Sequence, residues 1–129
     1  MKFEHVAFNV PDARAQARWL AENLGFTISR AGEEAPYMHF LADETGRVVL
    51  ELYSNPKALI PDYKSQPPLV LHFALVSLDA GADGARLLAA GATPFSDTPQ
   101  PDGTRFVMVR DPWGLPLQLC QRAKPFPIP

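Results

Sequence analysis

Apolar and polar positions along the first half of the chain follow the periods of one helix and several strands. Residues 2–10 alternate between the two classes and predict a strand. Asp12 is a candidate helix N-cap, residues 13–24 are rich in the good helix formers Ala and Leu, and Gly25 is a natural stop. Three more strands are predicted, the last two joined by a DETG turn, at about residues 26–31, 36–42 and 47–54.

The second half shows the same succession of patterns. A strand is predicted at residues 69–76, Asp79 is the candidate N-cap of a helix over 80–90, and Gly91 ends that helix. Three strands follow, the last two joined by a DPWG turn, at about residues 93–96, 104–110 and 115–121. Both halves therefore have the order β-α-β-β-β.

The two halves also match residue by residue. The segment EHVAFNVPD at residues 4–12 aligns with LHFALVSLD at 71–79, so that His5 falls on His72. The same offset along the chain places Glu51 on Gln118. The Gly stops and the hairpin turns match at offsets that differ from this one by a single residue in either direction. Matches in the same order at nearly the same offset indicate an internal duplication.

These patterns predict an α+β fold of two tandem β-α-β-β-β modules in a single domain, residues 1–129. Module one is predicted at about residues 2–55 and module two at about 69–121. A proline-rich linker joins them at 56–68, and a proline-rich tail follows at 122–129.

Side chains of a strand alternate between its two faces. This alternation assigns each residue of the four matched strands to one face or the other. Each strand has one apolar face suited to packing under a helix and one mixed face that carries one of four polar residues. Those residues are His5, Glu51, His72 and Gln118. If the halves pack with approximate two-fold symmetry, the four converge. A carboxylate between two imidazoles suits a divalent cation, and imidazole favours Zn, Ni, Co, Mn or Fe. A hydrogen-bonded polar cluster without metal is the alternative. His39, which has no repeat partner, is interpreted as structural or pocket-lining.

Composition narrows the class of protein. The net charge is −2 and the twelve Lys and Arg residues form no basic run, which argues against a nucleic-acid or acidic-membrane partner. The single cysteine, Cys120, rules out an internal disulfide and is typical of the reducing cytoplasm. The N-terminal residues lack the apolar run of a signal peptide, and no stretch reaches the ~20 apolar residues of a membrane span.

Four segments carry a resemblance to a known family. They are HVAFNVPD at residues 5–12, LELYSN at 50–55, HFAL at 72–75 and DPWGLPLQL at 111–119. The last is similar to a closing signature Asp-Pro-x-Gly-x-x-(Ile/Leu)-Glu-(Leu/Phe). Together they resemble the vicinal oxygen chelate superfamily, which includes glyoxalase I, extradiol dioxygenases, and fosfomycin- and bleomycin-resistance proteins.

The resemblance implies paired modules that form a cupped mixed sheet around one divalent metal, and a homodimer. The family's ligand positions fall on His5, Glu51, His72 and Gln118. Most members carry glutamate where this chain has Gln118, which weakens the dioxygenase and fosfomycin-resistance interpretations. Four-ligand sites with glutamine occur among glyoxalase I and epimerase relatives. Bacterial glyoxalase I has a glutathione-binding arginine at the position of Asn9, whereas Asn55 matches a glutathione-contacting asparagine.

The function predicted from the sequence is a glyoxalase-like, metal-dependent lyase or isomerase acting on a small substrate with vicinal oxygens. Glu51 is the predicted base, because Gln118 cannot accept a proton. The predicted substrate pocket, drawn from the mixed strand faces and their flanks, comprises Asn9, Tyr53, Asn55, Phe106, Met108 and Trp113. The alternatives are a bleomycin-resistance-type binding protein without catalysis and an extradiol-type dioxygenase that uses His5, His72 and Glu51.

Overall fold

The computed structural model describes residues 1–127, and the chain divides into two compact units, residues 1–61 and the part from Asp62 onward. Each unit has four strands and one helix in its described part. In unit 1 the elements are β1 (Val6–Asn9), α1 (Ala13–Leu24), β2 (Thr27–Ala31), β3 (His39–Ala42) and β4 (Val48–Tyr53). In unit 2 they are β5 (Phe73–Val76), α2 (Ala80–Ala89), β6 (Thr93–Pro99), β7 (Arg105–Arg110) and β8 (Pro116–Gln121).

Each unit contains one mixed four-stranded sheet. The strand order is β1-β4-β3-β2 in unit 1 and β5-β8-β7-β6 in unit 2. The first strand of each unit runs parallel to the last, and the remaining pairs are antiparallel. The predicted α+β class and the tandem β-α-β-β-β modules are confirmed.

The duplication extends to the register of the strands. Ala7 of β1 lies opposite Glu51 of β4, and Ala74 of β5 lies opposite Gln118 of β8. Ala74 lies as far along the chain from Ala7, and Gln118 from Glu51, as His72 lies from His5. Glu51 and Gln118 therefore occupy equivalent places in the two sheets.

The helices begin in the same way in both units, which explains why the sequence predicts them well. Asp12 and Asp79 are the N-caps, and each side chain accepts a hydrogen bond from the backbone N–H three residues later, at 3.0 and 2.9 Å. The backbone N–H of the first residue of each helix also donates a hydrogen bond to a side chain. That side chain belongs to a residue at, or just after, the end of the last strand of the unit. Ser54 Oγ accepts it in unit 1 and Gln121 Oε1 accepts it in unit 2.

Each helix covers one face of its own sheet. The side chains of the helix-facing positions of β4 and β8 are buried, as the apolar faces predicted. They include Leu50 and Leu52 in unit 1 and Leu117 and Leu119 in unit 2. The single helix that each unit has in its described part lies on this apolar side, away from the face that carries Glu51 or Gln118.

The strands differ from the prediction mainly at their ends. His5 and His72 were expected within strands, but each lies one residue before its strand begins. β1 and β5 each pair with a single neighbour, and this pairing starts only at Val6 and Phe73. β6, by contrast, is longer than predicted: it extends to Pro99 because it pairs with β7 from Thr93 to Pro99.

Neither helix in residues 1–127 is long and apolar enough to cross a membrane. Ile128 and Pro129, which end the predicted proline-rich tail, lie outside the described residues.

Candidate functional site

In unit 1, strand register places His5 and Glu51 together. Glu51 lies in the middle of β4, directly between Ala7 of β1 and Phe40 of β3. His5 shares the face of Ala7, because side chains two residues apart along an extended chain point the same way. Its ring meets the Phe40 ring edge-on, with the centroids 5.6 Å apart.

The His5 ring lies between two carboxylates. Its Nε2 is 3.1 Å from Glu51 Oε2, and its Nδ1 is 3.0 Å from Glu4 Oε2. The side chains of His5 and Glu51 are 25% and 13% exposed, whereas that of Glu4 is 84% exposed. Nδ1 is buried and has no aligned hydrogen-bond partner, so the Glu4 contact has the distance of an ion pair without the geometry of a hydrogen bond. Two negative groups around one imidazole favour a cation at this site.

In unit 2, the His72 ring is oriented by the backbone. Its Nδ1 lies 2.8 Å from the carbonyl oxygen of Pro68. A carbonyl can only accept, so Nδ1 carries the hydrogen and donates it. In the neutral ring, Nε2 then keeps its lone pair, which is the state in which histidine binds metals. The same contact is made by His39 Nδ1 to Tyr37 O at 2.7 Å, although His39 is buried opposite Leu52 on the helix-facing side. The hydrogen bond alone therefore does not identify a ligand.

Gln118 lies in the middle of β8, between Ala74 of β5 and Met108 of β7. Its Oε1 accepts a hydrogen bond from the thiol of Cys120 at 3.4 Å. The sequence analysis did not predict this contact, although the alternation of β8 places residues 118 and 120 on one face. Burial raises the pKa of the Cys120 thiol, and the nearby Arg122 opposes that shift. The thiol therefore stays protonated and able to donate.

The donor types fit a divalent ion. Two ligand atoms that bind one ion at right angles, each about 2.1 Å from it, are about 3 Å apart. The separation of 3.1 Å between His5 Nε2 and Glu51 Oε2 matches this spacing. Within residues 1–127, no three side chains of the types His, Cys, Asp and Glu form a metal-binding group. Each unit by itself thus supplies two of the four predicted ligands.

The predicted pocket residues of unit 1 have different roles. The buried side chain of Asn9 holds the loop after β4: its amide donates to the carbonyl oxygens of Asn55 and Ala58, at 2.9 and 3.2 Å. Its Oδ1 accepts from the N–H of Asn55 at 2.8 Å, and the Asn55 side chain accepts from the N–H of Lys57. Tyr53 lies opposite Asn9 and is half-buried.

The three predicted pocket residues of unit 2 lie in different surroundings. Met108 is buried beside Gln118, and the half-buried Phe106 lies opposite Cys120 with the guanidinium of Arg122 over its ring. Trp113 is in the turn between β7 and β8, where its backbone N–H donates to the buried carboxylate of Asp111 at 2.9 Å. Of the three, Met108 and Phe106 share the face of Gln118.

Comparison with known proteins agrees with this architecture. The model of the Glyoxalase/Bleomycin resistance protein/Dioxygenase superfamily matches residues 2–119. No curated protein gives a significant match to the sequence.

Several solved structures share the fold. TnmS3, an antibiotic binding protein from Streptomyces sp. CB03234, is 21% identical with a TM-score of 0.70, over 93% of this chain and 94% of that chain. The glyoxalase family protein from Enterococcus faecalis is 25% identical with a TM-score of 0.68, over 92% and 96%. A glyoxalase I mutant from Zea mays is 23% identical with a TM-score of 0.72, over 95% of this chain but 46% of the maize chain.

Proposed function

Because the chain belongs to the Glyoxalase/Bleomycin resistance protein/Dioxygenase superfamily, we propose that it is a glyoxalase-like lyase or isomerase that depends on a divalent metal. Its substrate is a small molecule with vicinal oxygens. The observation that carries the proposal is the half-enclosed pair of His5 Nε2 and Glu51 Oε2, 3.1 Å apart. Both atoms belong to types that bind divalent ions, and two ligands of one ion can lie at this spacing.

The proposed ligands are His5 and Glu51 of unit 1 together with His72 and Gln118 of unit 2. The His72 tautomer supports its assignment, since the donated Nδ1–H leaves Nε2 free to bind. Gln118 contributes its side-chain oxygen, which already accepts the weak thiol hydrogen bond. When bound, a divalent ion polarises the vicinal oxygens and stabilises negative charge that develops on them.

Glu51 is the proposed base. Proton transfer next to a carbonyl needs a group that accepts a proton from carbon and returns it to the neighbouring carbon. Gln118, at the equivalent position of the second unit, cannot do so. Ala7 and Phe40 flank Glu51 on the neighbouring strands, its side chain is only 13% exposed, and one of its oxygens contacts His5.

The substitution Glu51→Gln tests this assignment, because it keeps a side-chain oxygen but removes the ability to take a proton. We expect kcat for thiol adducts of α-keto aldehydes to fall at least about 100-fold, the usual contribution of a general base. Incorporation of solvent deuterium at the substrate carbon, followed by NMR, should fall in parallel. Glu44→Gln is the matched control, since Glu44 is exposed in the hairpin turn and should leave both rates unchanged.

Two results would overturn parts of this proposal separately. Turnover by Glu51→Gln equal to that of the natural chain would remove Glu51 as the base. Absence of turnover by the natural chain with every metal that it binds would remove the lyase or isomerase activity itself.

A second candidate is small-molecule binding without catalysis. The likeness to TnmS3, over nearly the full length of both chains, is the observation that favours it. The two candidates differ in their dependence on metal. Stabilisation by bulky aromatic compounds that is unchanged by a chelator, in a chain that retains no metal, would support binding alone.

A further inference from the structure

Unit 2 contains an apolar cavity of about 260 Å³ whose lining includes none of the four proposed metal ligands. Cys120 is at its floor, opposite Val76 of β5 in the strand register. Val76 and Leu78 form one side, and Pro125 and Phe126 form part of the wall. Cys120 is only 5% exposed, whereas Val76, Leu78 and Phe126 are 63%, 94% and 69% exposed. Large apolar side chains thus surround a cavity with a buried floor.

Arg122 is the only charged residue among the eight that line this cavity. Its guanidinium is close to two aromatic rings, 4.9 Å from the centroid of Phe106 and 4.6 Å from that of Phe126. No carboxylate within residues 1–127 forms an ion pair with it, in contrast to Arg86 and Arg105. A guanidinium has five N–H donors, so the hydrogen bond between Arg122 and the Cys120 thiol leaves others for an acceptor.

No carboxylate in the cavity lining competes for the charge of Arg122. The eight residues that line the cavity include no Asp or Glu. An apolar cavity with one fixed cation and no anion is complementary to a molecule with an apolar body and one negative group.

We propose that this cavity binds a small apolar carboxylate, with the carboxylate on Arg122 and the apolar body over Val76, Leu78 and Cys120. The volume is below the ~300–1,000 Å³ of sites for drug-sized ligands, and it suits about one aromatic ring. The inference goes beyond the proposed function, and it requires neither metal nor turnover.

The test compares phenylacetate with its neutral isostere phenylacetamide, each titrated into the metal-free full chain and followed by two-dimensional NMR. We expect saturable shifts for phenylacetate at residues 76–78 and 120–126. Phenylacetamide should bind at least about tenfold more weakly, because it lacks the charge-assisted hydrogen bonds to the guanidinium.

Two variants locate the effect, and a third serves as the control. Arg122→Gln should bind both compounds with equal affinity. Arg86→Gln is the matched control, since Arg86 is an exposed helix residue of the same unit outside the cavity, and it should keep the preference. Because Arg122→Gln also loosens the contact with Phe126, Leu78→Asp provides a second variant. Leu78 is almost fully exposed, so the fold should tolerate the change while the new carboxylate weakens phenylacetate binding several-fold.

Equal affinity of the natural chain for both compounds would overturn the proposal. So would shifts centred outside residues 76–78 and 120–126, absence of saturable binding, or an undiminished preference for phenylacetate in Arg122→Gln.

Discussion

Asn9 shows how a residue on the predicted site face can be required by the fold. Alternation along β1 places it with His5 and Ala7, which made it a candidate for the substrate pocket. Its side chain donates to carbonyl oxygens of the loop that follows β4 and accepts from the N–H of Asn55. Periodicity assigns a face but does not show which partner a polar side chain reaches, so its pocket role stays a prediction.

Asn9→Ala should therefore lower the free energy of unfolding, by about 1–3 kcal/mol, because several part-buried backbone groups lose their hydrogen-bond partner. Urea denaturation measures this difference. Glu22→Ala is the control: Glu22 is exposed on α1 and alanine is the better helix former, so that change should be near neutral. Equal effects of the two substitutions would show that Asn9 does not anchor the loop.

At the level of elements, α2 packs against β7 more closely than its sequence suggests. A Cβ on the buried Gly84 would lie 2.8 Å from Cγ1 of Val107. Val107 is β-branched and stiff, so it cannot easily move away. A Cβ on Gly81 would meet only the guanidinium of Arg105, the end of a flexible and partly exposed side chain. The two glycines of one helix thus have different roles.

Gly84→Ala should destabilise the protein by about 1–3 kcal/mol through overpacking, in spite of the better helix propensity of alanine. Gly81→Ala should be neutral or slightly stabilising, because an exposed ion pair such as that of Arg105 contributes little. Thermal unfolding of the two variants side by side makes the comparison. A Gly84→Ala variant as stable as Gly81→Ala would contradict the close packing of α2 on β7.

The elements were predictable because their signals are local or repeated. Asp12 and Asp79 cap their helices, Gly25 ends α1 in the left-handed conformation with a φ of 71°, and every predicted strand is present. The positions of His5 and His72 just outside their strands were not predictable. A strand ends where its neighbour stops pairing, and for β1 and β5 that neighbour is the last strand of the unit, far along the chain.

At the scale of the whole molecule, the chain is a repeat whose two halves have diverged at their equivalent polar positions. Unit 1 has His5 with Glu51, in contact at 3.1 Å, and unit 2 has His72 with Gln118. The sequence indicated all four residues, because alternation and the constant offset between the halves identify equivalent places. It did not show that the exposed Glu4 also lies beside His5, or that a thiol donates to Gln118.

The central claim is that His5, Glu51, His72 and Gln118 bind one divalent ion. Titration calorimetry of the metal-free chain with Zn²⁺, Ni²⁺, Co²⁺ and Mn²⁺ tests it most directly, on the natural chain, His5→Ala, His72→Ala and the control Glu44→Ala. We predict one ion per chain, an affinity at least about tenfold lower in each histidine variant, and no change in the control. Absence of stoichiometric binding by the natural chain, or binding by His72→Ala as tight as that of the natural chain, would contradict the claim.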